Sequence, residues 1–171
     1  MNATAVSPRP HTRDEEDNAV HAAFAKLTEA LMPLCEALRA MPPVNHIPAG
    51  AKIKGVYLFT EGGEHLYTGR SNDIRRRYKQ HFSFGSRIND APFAVLLARE
   101  ATGILRAYSG EYVRKKLALN ETFVAAFSKA KARISGMEFR FVVEDDPIRQ
   151  TLLEVYCAVV LETRYNKFEV S

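Results

Sequence analysis

Two tyrosines and a run of basic residues stand close together in residues 55–81. The segment GVYLFTEGGEHLYTGR places Tyr57 and Tyr67 ten residues apart, on either side of Gly62-Gly63. The basic side chains that follow are Arg70, Arg75, Arg76, Arg77, Lys79 and His81. Guanidinium groups bind phosphate oxygens. Phenol and imidazole groups can bind phosphate oxygens and also transfer protons. The segment is therefore either an ordinary β-hairpin that leads into a basic helix or the front half of an active site.

A single carboxylate lies in an otherwise apolar segment much later in the chain. Glu154 is the only charged residue in LLEVYCAVVL, residues 152–161. The helical spacing predicts a packing stripe of Leu152, Val155, Tyr156, Val159 and Val160, with Glu154 roughly opposite. An ionised carboxylate in a buried helix is costly unless it is paired or binds a metal. Two interpretations stay open: an ion pair with an arginine of the basic helix, or a ligand of a hard cation such as Mg²⁺.

The tyrosines lie in a predicted hairpin. Residues 53–60 and 64–69 are rich in aromatic and β-branched residues, and two glycines stand between them. A two-residue loop would place Tyr57 and Tyr67 on opposite faces of the hairpin. A three-residue loop with a left-handed glycine would place them on one face.

A basic helix is predicted to follow the hairpin. Ser71 or Asn72 can cap this helix, with Asp73 in its first turn. Arg77 and His81 are four residues apart and therefore share one face.

Residues 86–135 predict helices, with one end at Gly103 and a break at Asn120. The alternating segment MEFRFVVED predicts a third strand. Asp145 or Asp146 then caps the last helix.

The amino-terminal part is predicted to be separate from these elements. Residues 1–12 are polar and read as a disordered tail. Residues 13–50 predict a helical segment and linker: helical spacing runs to position 41, Pro33 ends or kinks the helix near Met32, and a proline-rich stretch follows. The helices permit docking to a partner protein or a second copy, but they are equally suited to cover the domain's own core.

The composition is that of one soluble globular domain with an appendage. The chain has 171 residues, of which 46% are hydrophobic and 26% charged. A formal charge of +4 mildly favours a polyanionic partner. We expect no membrane partner and a cytoplasmic location, because no apolar run approaches about 18 residues and the first residues lack a signal-peptide core. Cys35 and Cys157 read as buried thiols.

Taken together, the motifs resemble those of the GIY-YIG nuclease superfamily. Gly55-Val56-Tyr57 and Leu66-Tyr67-Thr68-Gly69 are similar to its GIY and YIG motifs. Family domains carry an arginine eight residues after the second motif, which matches Arg77. One branch, which includes homing endonucleases, has a histidine four residues later, which matches His81. Glu154 and Asn166 complete the pattern over residues 55–168, and Thr68 replaces the usual Ile or Val.

The resemblance implies a fold and an activity for residues 51–171. The fold is α+β, a small and mostly antiparallel three-stranded sheet flanked by helices, with residues 86–135 as a helical insert. The activity is that of a metal-dependent endonuclease that hydrolyses DNA phosphodiester bonds with one Mg²⁺ or Mn²⁺ ion per site. The alternative is a catalytically inactive nucleic-acid-binding or partner-docking module that keeps the fold. The completeness of the residue set favours activity.

The resemblance also implies roles for individual side chains. Tyr57 would take a proton from the attacking water, although a free tyrosine, with a pKa of about 10, is a poor base. Arg70 and Arg77 are expected to favour its phenolate. Tyr67 would bind the phosphate or the water, and Glu154 would hold the cation on the leaving-group side.

The remaining residues are expected to assist. Arg77 suits the non-bridging phosphate oxygens, and His81 donates to a phosphate or relays a proton. Phosphate contacts are expected from Arg70, Arg75, Arg76 and Lys79. Gly69 and Asn166 would support their neighbours. Because such a site needs both tyrosine hydroxyls on one side, we predict a three-residue or bulged hairpin loop, not a two-residue one.

Overall fold

The fold consists of one antiparallel sheet with helices on both of its faces. The computed structural model describes residues 13–104 and 111–166. Within these ranges the elements are, in chain order, α1 (Arg13–Glu29), α2 (Leu31–Ala40), β1 (Gly55–Glu61), β2 (Glu64–Ser71), α3 (Ile74–Phe82), α4 (Pro92–Thr102), α5 (Glu111–Leu119), α6 (Glu121–Ser135), β3 (Glu138–Val143) and α7 (Pro147–Val160). The predicted α+β class, with its small antiparallel sheet flanked by helices, is confirmed.

Strand β1 lies at the centre of the sheet, between β2 and β3. Its side chains alternate between two cores, as the two-residue period of a strand requires. Val56 and Leu58 pack with helices α2 and α7, whereas Tyr57 and Phe59 pack with α3, α4 and α6. Residues 55–60 are buried throughout. The helical insert therefore covers the face of the sheet that carries Tyr57.

The hairpin turn has two residues. Gly62 and Gly63 have φ angles of 59° and 85°, and Glu61 pairs with Glu64 across them. Two successive positive φ angles are typical of the type I′ turn, whose twist matches that of the flanking strands. The expectation that the loop would not be a two-residue one is therefore wrong.

A bulge further along the hairpin changes the register. The pairing shifts between Phe59 and Thr60, so that Tyr57 lies opposite Gly69 and Phe59 lies opposite Tyr67. A one-residue shift moves a whole strand segment to the other face. The bulge thus places Tyr57 and Tyr67 on the same face, as the predicted site requires, but it lies within the strands and not in the loop where it was predicted.

The two amino-terminal helices meet at Ala30, slightly before the predicted break at Met32. Pro33 lies in the first turn of α2, where the amide groups have no partner within the helix. It therefore begins the second helix rather than ending the first. The buried side of α2 consists of Leu31, Cys35 and Leu38. Residues 41–50 form no regular element, as predicted.

Helix α3 is capped by Asp73, not by the predicted Ser71 or Asn72. The Asp73 carboxylate accepts a hydrogen bond from the Arg76 amide at 2.9 Å. Ser71 stabilises the capping residue, because its hydroxyl accepts a hydrogen bond from the Asp73 amide at 3.0 Å. Asp73 at the cap has the non-helical backbone that this position requires.

The insert follows its predicted boundaries with one exception. Gly103, at a φ of 65°, ends α4, and the Asn120 side chain caps α6. Residues 86–91 form turns and irregular structure instead of helix. Pro92 is the reason, because it occupies the first turn of α4 and disfavours helical conformation in the residue before it. Asp146 caps α7 as one of the two predicted candidates.

Some predictions fall on residues outside the described ranges, namely the tail 1–12 and positions 105–110 and 167–171. Among the described residues, no helix is both long and apolar enough to cross a membrane. The cytoplasmic location stays a prediction. Cys35 and Cys157 are buried free thiols, as expected.

Candidate active site

The Tyr57 hydroxyl is the centre of a buried polar cluster. It lies 2.9 Å from Nε2 of His81, and Nε of Arg77 donates to it at 3.2 Å. The two partners lie one turn apart on α3, so the predicted shared face of Arg77 and His81 is confirmed. Tyr57 is 1% exposed and His81 is fully buried.

Gly69 makes room for this hydroxyl. It lies opposite Tyr57 in the sheet, and a Cβ atom built on Gly69 would lie 2.2 Å from the Tyr57 oxygen. Any side chain here would displace the tyrosine ring. Gly69 was expected to support its neighbours, and it does so because its lack of a side chain leaves space for the Tyr57 hydroxyl.

Tyr67 joins the cluster from the same face of the hairpin. Its ring centroid lies 6.4 Å from that of Tyr57, and burial raises the pKa of its hydroxyl while Arg77 opposes this shift. The ring stacks on Phe93 of the insert, with centroids 4.7 Å apart and planes at 7°. Sequence reasoning did not anticipate this contribution of Phe93.

Asp90 is a second residue of the insert that sequence reasoning missed. Its backbone carbonyl accepts a hydrogen bond from Nη1 of Arg77 at 2.9 Å. Nε of the same guanidinium contacts Tyr57, so Arg77 is held at two points. A backbone contact of this kind leaves no side-chain signal in the sequence.

Glu154 is paired with Arg70, at 3.1 Å between Oε2 and Nε. Arg70 lies near the end of β2, so the expected partner from the basic helix is wrong. The Glu154 side chain is 23% exposed. Burial raises the pKa of its carboxyl above the ordinary value, against the opposing effects of Arg70 and Arg77. Arg77 thus connects the carboxylate electrostatically with the tyrosine cluster.

The predicted packing stripe of α7 is wrong in part. Val155, Val159 and Val160 are exposed, whereas Leu153 and Cys157 are buried. Helix α7 packs on α2 and β1, and it is the Leu153 side that meets their apolar side chains. Hydrophobic residues occur all round this helix, so the sequence pattern did not show which side is covered. Of the predicted stripe, Leu152 and Tyr156 do pack against this core.

Asn166 ties the end of the described chain to the second motif. Its Oδ1 accepts the Thr68 amide at 2.7 Å, and its Nδ2 donates to the Thr68 carbonyl at 2.9 Å. The Thr163 hydroxyl donates to the same Oδ1 at 3.0 Å. Thr68 also donates its hydroxyl to the Glu154 backbone carbonyl at 3.3 Å. Thr68 therefore anchors the helix that carries Glu154.

The buried cluster is neutral apart from Arg77. Burial raises the pKa of Tyr57 far above its ordinary value, and Arg77 opposes this shift without overcoming it. Arg77 thus favours the phenolate, as expected, but burial outweighs it and Tyr57 stays protonated in the protein alone. Burial lowers the pKa of His81 well below its ordinary value, and Arg77 adds to this effect. At neutral pH the imidazole is uncharged.

The Tyr57 oxygen accepts a hydrogen bond from Arg77, which can only donate. Its contact with Nε2 of His81 depends on the imidazole tautomer. In the tautomer with its proton on Nδ1, Nε2 is the acceptor and the Tyr57 hydrogen points at it. Nδ1 is buried and has no hydrogen-bond partner among the described residues.

The other predicted basic residues lie along α3 toward solvent. Arg76 and Lys79 are exposed and Arg75 is half-buried. Their positions suit phosphate contacts along a polyanion. The structure groups them on the basic helix but gives them no role in the tyrosine cluster.

The donor set limits the kind of metal that fits. Within the described ranges, no group of three or more His, Cys, Asp or Glu side chains can hold a metal ion. Glu154 offers one partly exposed carboxylate. This suits Mg²⁺ or Mn²⁺, since Mg²⁺ commonly keeps several waters and binds one carboxylate plus substrate phosphates. It does not suit a structural zinc site.

Comparisons of the chain with protein-family models, with curated proteins and with solved structures give no match.

Proposed function

We propose that the protein is a divalent-metal-dependent endonuclease that hydrolyses DNA phosphodiester bonds. The observation that supports this most is the meeting of Arg77 and His81 on the Tyr57 hydroxyl. Tyr67 lies on the same face, and Glu154 is within electrostatic reach of Arg77. Proton transfer, phosphate binding and a cation ligand are the three requirements of the reaction, and all have a candidate here.

In the proposed reaction, Tyr57 and His81 act as a proton relay. The attacking water gives a proton to the Tyr57 oxygen while the Tyr57 hydrogen moves to Nε2 of His81. Tyr57 thus stays a neutral phenol, which agrees with its raised pKa, and His81 becomes an imidazolium. The water oxygen forms the new bond to phosphorus, and the bond to the leaving oxygen breaks. The guanidinium of Arg77 stabilises the charge on the phosphoryl oxygens.

Glu154 would hold the divalent cation, which supplies charge stabilisation for the leaving oxygen when bound. Its ion pair with Arg70 keeps the carboxylate in place before that. Arg70 is 46% exposed, so its side chain can turn toward a DNA phosphate when the cation replaces it.

The same ion pair favours a second candidate function, a catalytically inactive module that binds nucleic acid. If Arg70 keeps Glu154 occupied in the presence of DNA, no carboxylate is left for a cation. The basic side chains of α3 would still bind phosphates. The two functions differ in metal-dependent cleavage.

The test is a cleavage assay with Mg²⁺ on duplex, branched and single-stranded DNA. Arg77→Ala and Glu154→Gln are expected to abolish cleavage, whereas Glu162→Gln, at an exposed position, is the control and retains it. Unchanged cleavage by Glu154→Gln would show that the metal assignment is wrong. DNA binding without cleavage of any substrate would support the inactive module.

A further inference from the structure

Phe84 is the most exposed of the large hydrophobic side chains in the described part of the chain, at 98% exposure. It belongs to the loop Ser83–Ser86, which follows α3 directly. An aromatic ring that lies fully in water forgoes the stabilisation that burial would give it. A single exposed hydrophobic side chain is ordinary on a protein surface, so a role for this ring depends on the loop that holds it and on the charge nearby.

The loop is held from beneath by a buried ammonium group. Lys131 is 7% exposed, and its Nζ donates to three carbonyls of the loop, at 3.2 Å to Ser83, 2.8 Å to Phe84 and 3.1 Å to Ser86. The same ammonium lies 5.7 Å from the centroid of the Phe84 ring. An ammonium has three N–H donors, and all three have a carbonyl of this loop as acceptor.

The loop also lies next to the candidate active site. It begins two residues after His81, and the segment that follows it returns to Arg77 through the Asp90 carbonyl. Phe84 is three positions after His81, so their Cα atoms are at most about 11 Å apart. With about 3.4 Å per nucleotide along a strand, that distance corresponds to roughly three stacked bases.

The charge around Phe84 favours nucleic acid over protein as its partner. Residues 74–89 contain five Lys or Arg and no Asp or Glu. A phosphate backbone is attracted by such a segment, and a base can stack on an aromatic ring whatever its identity.

We propose that Phe84 stacks on a nucleobase close to the cleaved phosphate. This inference rests on the proposed function. A base in continuous duplex has both of its faces covered by neighbours. The substrates that suit this ring are therefore DNAs with a locally unstacked base, such as a bulge, a flap or a junction with single strand. Insertion of apolar side chains between base steps costs least where stacking is already interrupted.

The experiment measures binding to a duplex with a single-base bulge and to the same duplex without it, in EDTA. The DNA carries 2-aminopurine beside the bulge. The wild type is expected to prefer the bulged DNA and to raise the 2-aminopurine fluorescence as that base leaves its DNA neighbour. Phe84→Ala should lose about tenfold in affinity for the bulged DNA, the scale of one aromatic stack, while Phe84→Trp retains the preference. Leu119→Ala, which removes another exposed hydrophobic side chain, is the control and should behave as the wild type.

Equal preference in the wild type and Phe84→Ala overturns the proposal. The proposal is also overturned if Phe84→Ala changes the oligomeric state seen by sedimentation while DNA binding is unaltered. That result would show that the ring contacts protein. Because binding is measured without metal, absence of cleavage overturns the proposed function but leaves the stacking result intact. Cleavage without any effect of Phe84 overturns the stacking alone, and absence of DNA binding overturns both.

Discussion

The Tyr57 hydroxyl lies 2.9 Å from Nε2 of His81, and both side chains are buried. Strand β1 supplies the phenol and α3 the imidazole, at positions 24 apart in the sequence. Arg77 donates to the same oxygen, so a positive charge that cannot be deprotonated lies beside the pair. Several consequences of this arrangement can be measured.

Tyr57→Phe removes the relay without changing the ring. We expect cleavage to fall about 10²–10⁴-fold, the usual contribution of a positioned acid–base group. His81→Gln is expected to lose a similar factor. Single-turnover cleavage with saturating Mg²⁺ measures this loss. Tyr156→Phe is the matched control, since that residue packs on the other core. Equal rates for Tyr57→Phe and the wild type would show that the hydroxyl takes no part.

Gly69→Ala is expected to displace Tyr57, because the new Cβ would lie 2.2 Å from the hydroxyl and 2.4 Å from the ring carbon that bears it. Overpacking of this kind costs about 1–3 kcal/mol. Urea unfolding measures the cost, and cleavage should fall with it. The control is Gly50→Ala, where no atom lies within 4 Å of the new Cβ. If Gly69→Ala is as stable and active as the wild type, the observed packing is wrong.

Asn166→Ala leaves the Thr68 amide and carbonyl without their partners. Unpaired polar groups in such a position cost about 1–3 kcal/mol. Because Thr68 also bonds the backbone of Glu154, we expect weaker apparent Mg²⁺ affinity as well as lower stability. Urea unfolding and Mg²⁺ titration of cleavage measure the two effects. Asn89→Ala, at an exposed position, should change neither. If stability falls but the Mg²⁺ dependence of cleavage is unaltered, the hydrogen bonds of Asn166 stabilise the fold without supporting the metal site.

His81 should make stability depend on pH. Burial and Arg77 lower its pKa well below the ordinary value of 6.5, so the folded state binds fewer protons than the unfolded state below that value. The contribution is fully present above about pH 6.5 and is lost as pH falls toward the folded pKa. Urea midpoints should therefore fall between about pH 7.5 and 5.5. His81→Gln should flatten this dependence, and parallel curves for the two proteins would contradict the assignment.

Arg70 should set the acid limit of cleavage through Glu154. Burial raises the pKa of Glu154, and Arg70 opposes this shift. Arg70→Gln removes the opposition, so the ionised carboxylate should form only at higher pH. We expect the acid limb of the pH–rate profile to move upward, with Arg75→Gln as a control that leaves it in place. An unmoved limb in Arg70→Gln would mean that another group limits the rate.

The parts of the fold that depend on local patterns could be predicted from the sequence. The strands, the helix ends at Gly103 and Asn120, and the shared face of Arg77 and His81 follow from side-chain period and capping. The bulge at Phe59 could be inferred only because a shared face for the tyrosines was required. Neither turn chemistry nor composition indicates it.

Features that depend on tertiary packing could not be predicted. The Arg70 partner of Glu154 and the covered side of α7 are set by how α7 lies on α2 and β1. The sequence shows the cations that favour the Tyr57 phenolate, but it does not show the depth of burial, which outweighs Arg77. The contribution of Asp90 involves a backbone atom, which no residue type reveals.

The hydrogen bonds between Asn166 and Thr68 have a consequence for the order in which the site is completed during synthesis. Thr68 and Asn166 are 98 residues apart, and Thr68 and the Glu154 carbonyl are 86 apart. The hairpin and α3 therefore leave the ribosome long before the carboxylate arrives. Until residue 166 has emerged, the chain lacks the contacts that anchor the helix of Glu154. If the protein is the proposed endonuclease, a growing chain would lack its anchored cation ligand, and cleavage would begin only with the finished fold.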